Sequence, residues 1–193
     1  MRRIIDRVGP YVAPIRSHQE TAFAYLVHAI VGQQVSWAAA ATFYRRLLML
    51  TARHRLTPAA VLAVRERDMH GIGLTREKVT SIRAFAEHVS DRTVSLRRLG
   101  TCDDDDVIRT LTALPGIGRW SAETFLVRYL GRPDVLPADD VGLRREYRLA
   151  YGLRSMPTPQ AFRVAAARWS PHRSIATWYL WRLAETKTLS SPL

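Results

Sequence analysis

The apolar residues of this chain recur with the period of an α-helix, and this spacing restricts the fold more than any other feature. Apolar residues at the spacing i, i+3, i+4, i+7 lie on one face of a helix. An example is the set Phe23, Leu26, Val27 and Ile30. Alternating apolar and polar residues, which would indicate β-strands, do not compete with this pattern. The sequence therefore predicts an all-α fold of about nine or ten short helices.

Hydroxyl residues followed by proline mark several expected helix starts. A Ser or Thr side chain caps the first turn, and proline suits the first helical position. Three pairs have this form: Thr57-Pro58, Thr158-Pro159 and Ser170-Pro171. Thr75 is expected to cap another helix. The acidic segment "CDDDD" at 102–106 also indicates a helix start, because no His or Cys accompanies it at metal-ligand spacing.

Basic residues outnumber acidic residues by a margin that favours a polyanionic partner. The chain has 29 Lys and Arg against 17 Asp and Glu, a formal net charge of +12, and its sequence pI is about 10.9. It is also 47% hydrophobic, which is sufficient for a packed core. We therefore expect a folded protein that binds nucleic acid, with a merely basic protein as the alternative.

The single cysteine, Cys102, excludes an intramolecular disulfide framework and an iron–sulfur cluster held by four cysteines of this chain. The start of the chain, "MRRIIDRVGPYVAPIRSH", lacks the continuous apolar segment of a signal peptide. No stretch approaches the roughly 20 apolar residues that span a bilayer. These features predict a cytoplasmic protein, nucleoid-associated if it is prokaryotic, without a membrane partner.

A glycine turn between two helical stretches, "LPGIGRWSAETF" at 114–125, is a candidate anion site. Gly116 and Gly118 permit backbone angles closed to other residues and leave amide N–H groups unshielded. Because a helix beginning near Arg119 points its own N–H groups the same way, we expect the turn to hold a phosphate oxygen. A purely structural turn is the alternative. A similar turn at 71–73 is interpreted as a second phosphate-binding turn or, preferably, as a helix C-cap.

The helix after the turn at 114–125 is predicted to have two distinct faces. Its apolar stripe should face the core and consists of Ala122, Phe125, Leu126 and Tyr129. Trp120 is expected on the opposite face, with Thr124 and Val127. An aromatic side chain there suits a pocket for a nucleic-acid base, and burial against a second packing partner is the alternative.

Four blocks of sequence resemble one family of DNA repair enzymes. They are "AIVGQQVSWAAA" at 29–40, "LTALPGIGRWSAETF" at 111–125, "VLPADDVGLRREY" at 135–147 and "ARWSPHRSIATWYLWRL" at 167–183. In this order they resemble the helix–hairpin–helix DNA glycosylases, in the 3-methyladenine DNA glycosylase II branch. The resemblance is to the compact form, without the N-terminal β domain of some members.

The resemblance implies one glycosylase unit over 1–193, built of two helical subdomains with the active-site cleft between them. The first subdomain, about 20–100, would carry a loop that wedges into DNA. The second, about 101–193 together with the N-terminal segment, would carry the hairpin at 112–120 and a catalytic aspartate.

The resemblance assigns the catalytic role to Asp140. Breaking an N-glycosidic bond builds positive charge on the sugar, which a fixed carboxylate stabilises. Asp139 is the expected structural neighbour, although both acids would be interpreted as helix caps without the resemblance. Since Trp120 stands where lyase-type relatives carry a lysine nucleophile, the resemblance implies a monofunctional hydrolase that leaves an abasic site.

Two tryptophans, Trp120 and Trp181, match aromatic base-pocket positions of the family. Their faces favour cationic alkylated purines of the 3-methyladenine and 7-methylguanine type. Thr124 replaces a tyrosine of some relatives, which widens the expected pocket. Trp178 is instead expected to pack in the core with Ile175.

The resemblance also implies the DNA contacts. The phosphate-binding hairpin would comprise Leu114, Gly116, Ile117, Gly118 and Arg119. Gln33 and Gln34 stand where the family inserts a wedge into the gap left by a flipped base, and Gln34 matches the wedge position itself. An amide-capped helix junction is the alternative. A Na⁺ or K⁺ ion is implied at the carbonyls of Thr112, Leu114 and Ile117, with no organic cofactor and no iron–sulfur cluster.

The implied partner is double-stranded DNA containing damaged bases, and a monomer is expected. Two alternative functions stay open: a glycosylase for another damaged or mismatched base, and a non-catalytic DNA-damage-binding protein. His172 and Arg173 stand at an expected helix start, against the helix dipole. An anionic neighbour is therefore expected there, and a DNA phosphate and Asp139 are both candidates.

Overall fold

The computed structural model describes residues 1–13 and 21–189, and within these ranges it contains eleven α-helices and no β-strand. This confirms the all-α prediction, with slightly more helices than expected. The helices are α1 Arg2–Val8, α2 Ala22–Gly32, α3 Trp37–Leu50, α4 Pro58–Ala63, α5 Glu66–Gly71, α6 Arg76–Ser90, α7 Asp104–Thr112, α8 Arg119–Thr124, α9 Val141–Tyr151, α10 Pro159–Ala166 and α11 Arg173–Leu189. A π-helical segment, Phe125–Tyr129, directly follows α8. None of the helices in the described ranges combines the length and the apolar character needed to cross a lipid bilayer.

Most helix starts are explained by the capping residues. Three predicted caps accept a hydrogen bond from the backbone N–H three residues on: Thr57, Thr75 and Thr158. Asp103 does the same for α7, so the acidic "CDDDD" segment is a helix start. The predicted cap at Ser170 is wrong. Its hydroxyl donates to Oδ2 of Asp134 at 2.8 Å, and α11 begins only at Arg173.

Internal contacts divide the chain into two compact units, which are Arg16–Phe125 and Met1–Ile15 with Leu126–Leu193. The hairpin belongs to the first of these, whereas the sequence analysis grouped it with the residues after 101. The reason is that α2 holds it directly: Gln33 donates to the carbonyl of Gly116, and the Tyr25 hydroxyl donates to the carbonyl of Thr124. The boundary between the two units therefore lies after Phe125, whereas the sequence led us to expect it near residue 100.

The core of the unit Arg16–Phe125 includes the apolar stripe of α2. All four residues of the stripe are buried: Phe23, Leu26, Val27 and Ile30. The ring of Phe23 stacks on that of Phe85 in α6, with 5.0 Å between the ring centroids. The helical spacing in the sequence therefore identified a true core face.

The core of the other unit is built by α1, α9, α10 and α11. Its centre contains three completely buried side chains, one from each of the last three helices: Leu143, Phe162 and Leu180. Trp178 and Ile175 pack against this cluster, and the Trp178 ring meets Tyr11 edge-on at a centroid distance of 5.1 Å. The predicted core role of Trp178 is confirmed.

The anionic neighbour of Arg173 is Asp134, which the sequence analysis did not consider. The guanidinium Nε and Nη2 donate to the two carboxylate oxygens at 2.8 and 2.9 Å, and the backbone N–H of Arg173 adds a bond of 3.1 Å. A carboxylate from a distant loop thus holds the start of α11. Hydrogen bonds from the Arg173 side chain, with others from Ser170 and the Arg173 backbone, hold the pKa of Asp134 well below its ordinary value.

We expect Asp134→Asn to lower the free energy of unfolding at pH 7 by about 1–2 kcal/mol, because a bidentate charge-assisted pair is weakened. A carboxyl group whose pKa is lower in the folded state stabilises that state at pH values above its unfolded pKa, which is about 3.9 for Asp. This stabilisation is lost as the pH falls from the unfolded pKa through the folded pKa. The difference in the free energy of unfolding between wild type and variant should therefore become smaller below about pH 4. Urea unfolding between pH 7 and pH 3 measures this, and a difference independent of pH would contradict it.

Candidate functional site

The turn at 113–118, between α7 and α8, depends on Gly116. Its φ of +77° lies in the left-handed region that favours glycine, and an added Cβ would overlap the Ser81 side chain of α6. Gly118 differs from expectation, because its φ of −87° is accessible to any residue. As the N-cap of α8 it contributes no side chain, and it is exposed. The turn therefore leads into the positive end of α8 without a capping side chain.

The other predicted hairpin residues anchor this turn or flank it. Leu114 and Ile117 are buried, and the Ile117 N–H donates to the Leu114 carbonyl at 3.2 Å. Arg119 is exposed, and its Nε donates at 2.8 Å to Oε1 of the buried Glu123. This bond fixes the exposed guanidinium beside the turn, where its remaining N–H groups can donate to an anion.

The faces of α8 and the π-helical segment were only partly predicted. The apolar stripe is buried at Ala122, Phe125 and Leu126, and half-buried at Tyr129. Trp120 is 39% exposed, as expected for a side chain off the core face. Thr124 and Val127 are buried instead, because this stretch is covered on more than one side. The Thr124 hydroxyl donates to the Ser121 carbonyl at 3.0 Å.

The two glutamines after α2 have different surroundings. Gln33 Nε2 donates to the Gly116 carbonyl at 2.8 Å and to Ser121 Oγ at 3.4 Å. Gln34 is exposed, and its φ of +57° is uncommon for a residue other than glycine. Of the two glutamines, the exposed one is thus Gln34, the residue that matches the wedge position, whereas Gln33 reaches to the hairpin.

The second glycine turn has the contacts of a structural turn. Gly73 has a φ of +100°, and an added Cβ would lie 2.7 Å from Cε1 of Phe43. Thr75 caps α6, and the Lys78 ammonium donates to the carbonyl of Val31 at 2.7 Å. These contacts favour a helix C-cap followed by a capped helix over a second phosphate-binding turn.

In the unit that contains α9, Asp140 is the N-cap of that helix. Its Oδ1 accepts the backbone N–H of Leu143 at 2.8 Å, and its Oδ2 accepts the indole Nε1–H of Trp181 at 3.1 Å. Asp139 points elsewhere and pairs with Arg163, Oδ2 to Nη2 at 3.2 Å, on the surface. Two N–H donors therefore orient the carboxylate of Asp140, which is only half-buried.

Trp181 makes two specific contacts with its indole ring. Its N–H edge holds Asp140, and the guanidinium carbon of Arg128 lies over the ring, 4.3 Å from the centroid. A cation over an indole face is attracted by the ring quadrupole. Trp181 thus connects a cation and a carboxylate, and one face of its ring is in contact with Arg128.

Sequence reasoning missed Arg128, Ser81 and the contact of Lys78 with α2, and it assigned Gln33 to the wedge together with Gln34. Each acts through a partner that is distant along the chain, such as Trp181 for Arg128 and Val31 for Lys78. Local spacing carries no signal for such pairs. The signal that the sequence does carry is the glycine at 116, since an added Cβ there would overlap the Ser81 side chain.

Comparison with known proteins places this arrangement among DNA repair proteins. Residues 27–172 match the model of a family described as "HhH-GPD superfamily base excision DNA repair protein". Over 194 aligned residues, the chain is 27% identical to DNA-3-methyladenine glycosylase 1 of Schizosaccharomyces pombe, covering 100% of this chain and 85% of that protein.

Two solved structures share the fold and more than a quarter of the aligned sequence. One is the 3-methyladenine DNA glycosylase of Schizosaccharomyces pombe in complex with abasic DNA, at a TM-score of 0.86 and 29% identity, covering 95% of this chain and 90% of that one. The other is a DNA-3-methyladenine glycosidase from Bacillus halodurans, at a TM-score of 0.81 and 31% identity, covering 98% and 86%.

Proposed function

Because the chain belongs to the HhH-GPD superfamily of base excision DNA repair proteins, we propose that it is a DNA glycosylase that removes alkylated purines from double-stranded DNA. The observation that carries this proposal is the carboxylate of Asp140, oriented by the Leu143 N–H and the Trp181 indole N–H. The relatives reported above are named for 3-methyladenine, which supports the choice of substrate.

Asp140 provides the charge that this reaction requires. As the bond between C1′ and the base nitrogen breaks, its electron pair leaves with the base and positive charge develops on the sugar. A carboxylate already fixed by two N–H donors stabilises that charge without reorganising. Water then adds to C1′ and loses a proton, which leaves an abasic site.

Alkylated purines suit an exposed indole. N-alkylation gives the base a positive charge and weakens its glycosidic bond, and stacking of a cation on an indole is worth about 0.5–2 kcal/mol. Trp120 is exposed and can offer its face to such a base. Trp181 has Arg128 over its ring, so we assign it mainly to orienting Asp140.

The reaction ends at hydrolysis, without cleavage of the strand. Strand-cleaving relatives use an amine nucleophile that forms a Schiff base with the sugar. Trp120 stands at that position here, and the sequence contains only two lysines, Lys78 and Lys187. The Lys78 ammonium is hydrogen-bonded to Val31. Borohydride should therefore trap no covalent complex with DNA.

The hairpin binds the DNA backbone and Gln34 enters the duplex. The turn around Gly116 and Gly118, with Arg119 beside it, offers backbone N–H groups and the exposed N–H groups of the guanidinium to a phosphate. Gln34 is exposed, and the residue before it, Gln33, is hydrogen-bonded to the hairpin. Gln34 fills the space of the flipped base.

A monovalent cation, Na⁺ or K⁺, would be held by the carbonyls of Thr112, Leu114 and Ile117. These are neutral, hard oxygen donors, and the carbonyl of Leu114 retains a second lone pair while accepting the Ile117 N–H. When bound, the ion would add positive charge for a phosphate oxygen. Organic cofactors and iron–sulfur chemistry take no part in the proposal.

A panel of duplexes, each with one defined lesion, tests the proposal. We expect release of 7-methylguanine and 3-methyladenine, seen as strand breaks after hot alkali and not before it. Preferential release of an oxidised, deaminated or mismatched base would show that the protein is a glycosylase for that base and not for alkylated purines. Tight binding of every lesion without release would make the protein a damage-binding protein.

A further inference from the structure

We propose that Gln33 is a positioning residue that fixes the DNA wedge at a set distance from the phosphate-binding hairpin, with α6 as their common support. The inference rests on the proposed function, since wedge and hairpin are its DNA contacts. All the residues concerned lie within the unit Arg16–Phe125.

Gln33 connects the two DNA contacts through its amide. The backbone of Gln33 immediately precedes Gln34, so its position sets the position of the wedge. Its side-chain Nε2 donates to the Gly116 carbonyl at 2.8 Å and to the buried Ser121 Oγ at 3.4 Å. One amide therefore contacts both the hairpin turn and the first turn of α8.

Ser81 of α6 supports the hairpin from behind. Its Cβ and Oγ occupy the place that a Cβ on Gly116 would need. The turn therefore has little room to move toward α6, while the bond from Gln33 restrains its carbonyl. Gly116 is therefore restrained by packing against Ser81 and by the hydrogen bond from Gln33.

Lys78 of α6 supports the wedge. Its ammonium donates at 2.7 Å to the carbonyl of Val31, in the last turn of α2, where helix carbonyls lack an intrahelical partner. Burial lowers the pKa of Lys78. Lys78 and Ser81 are three residues apart and so share one face of α6. That face therefore contacts the end of α2 just before the wedge and also the hairpin.

This arrangement explains how a glutamine can serve as a wedge. Gln stacks less well than an apolar side chain, so it must be held in place to displace a paired base. A hairpin fixed on a phosphate and a wedge fixed to that hairpin enter the duplex together. Removing the hydrogen bonds between Gln33 and the hairpin should slow base flipping and leave the cleavage of the glycosidic bond unchanged.

The test compares excision from a duplex with excision from single-stranded DNA, where the lesion needs no displacement by a wedge. Gln33→Glu keeps the length of the side chain and removes its N–H donors. Lys78→Met removes the ammonium and keeps most of the stem. Gln160→Glu, the same change at an exposed position of α10, is the matched control.

For Gln33→Glu and Lys78→Met we expect the ratio of duplex to single-strand rates to fall about 5- to 10-fold, the equivalent of one or two hydrogen bonds. Gln160→Glu should retain the wild-type ratio. Because each ratio is taken within one preparation, a partly unfolded variant does not distort it. Equal loss on both substrates, or no loss, would overturn the inference.

Hydrogen exchange without DNA gives a second readout that does not depend on the proposed function. Gln33→Glu should speed exchange of the hydrogen-bonded amides of Ile117 and Ala122, which donate to the Leu114 and Gly118 carbonyls, by a similar factor, while Gln160→Glu leaves them unchanged. Unchanged exchange in Gln33→Glu would reject the connection whatever the activity. If the wild type releases no base from either DNA while Gln33→Glu still speeds exchange, the proposed function is rejected. The connection between Gln33 and the hairpin is then retained.

Discussion

Asp140→Asn is expected to lower the rate of base release from an alkylated duplex by about 10³-fold or more, because the charge that stabilises the developing sugar cation is lost. Asparagine is also a good N-cap, so its amide oxygen can still accept the Leu143 N–H and α9 should keep its start. The loss should therefore appear in the single-turnover rate of base release, and hardly in the thermal stability.

Asp139→Asn is the matched control for this variant. It removes one negative charge from the neighbouring residue, whose carboxylate pairs with Arg163 on the surface. Exposed pairs contribute little, so we expect less than about a threefold change in rate and a stability change within about 0.5 kcal/mol. Equal losses in the two variants would mean that charge in the loop matters in general and that Asp140 has no special role.

Trp181→Phe is expected to lower kcat by about 10- to 100-fold with KM changed less than about threefold, because one hydrogen bond to the catalytic carboxylate is lost. Phenylalanine retains an aromatic face for Arg128 and removes the N–H that Oδ2 of Asp140 accepts. Steady-state kinetics on one alkylated duplex separates the two parameters.

Trp178→Phe controls for the change of ring size on the same helix. Trp178 packs on the core and against Tyr11, so its substitution should reduce stability and leave kcat near the wild-type value. If Trp181 served only to stack a base, Trp181→Phe would change KM more than kcat. That result would contradict the orienting role.

The features predicted well from sequence depend on residues close together along the chain. The core stripe of α2, the caps at Thr57, Thr75 and Thr158, and the glycine turn before α8 all follow from spacings of a few residues. Helical periodicity and capping are local physics, so a single sequence displays them. The family resemblance added roles to these positions, and those roles stay predictions until the variants are measured.

The features missed depend on contacts between distant residues. The cap of α11 comes from Asp134, 39 residues before Arg173, whereas the local rule pointed to Ser170. The bond between Trp181 and Asp140 spans 41 positions, and that between Gln33 and Gly116 spans 83. Packing of helices decides such pairs, and no pattern within one helix encodes them.

Thr124 shows how a correct period can still give a wrong environment. A helical wheel puts it opposite the core stripe, and it is nevertheless 5% exposed. Periodicity identifies the face that must be buried, but it does not show that the other face stays open. Close to the buried Phe125, α8 gives way to a π-helical segment, which shifts the faces further.

The proposed reaction is tested most directly by one single-turnover assay of the wild-type protein on a duplex with a single 7-methylguanine. We expect that the free base is released, that the strand stays intact until alkali is added, and that an undamaged duplex is left unchanged. Release of no base, or strand cleavage without alkali, would contradict it.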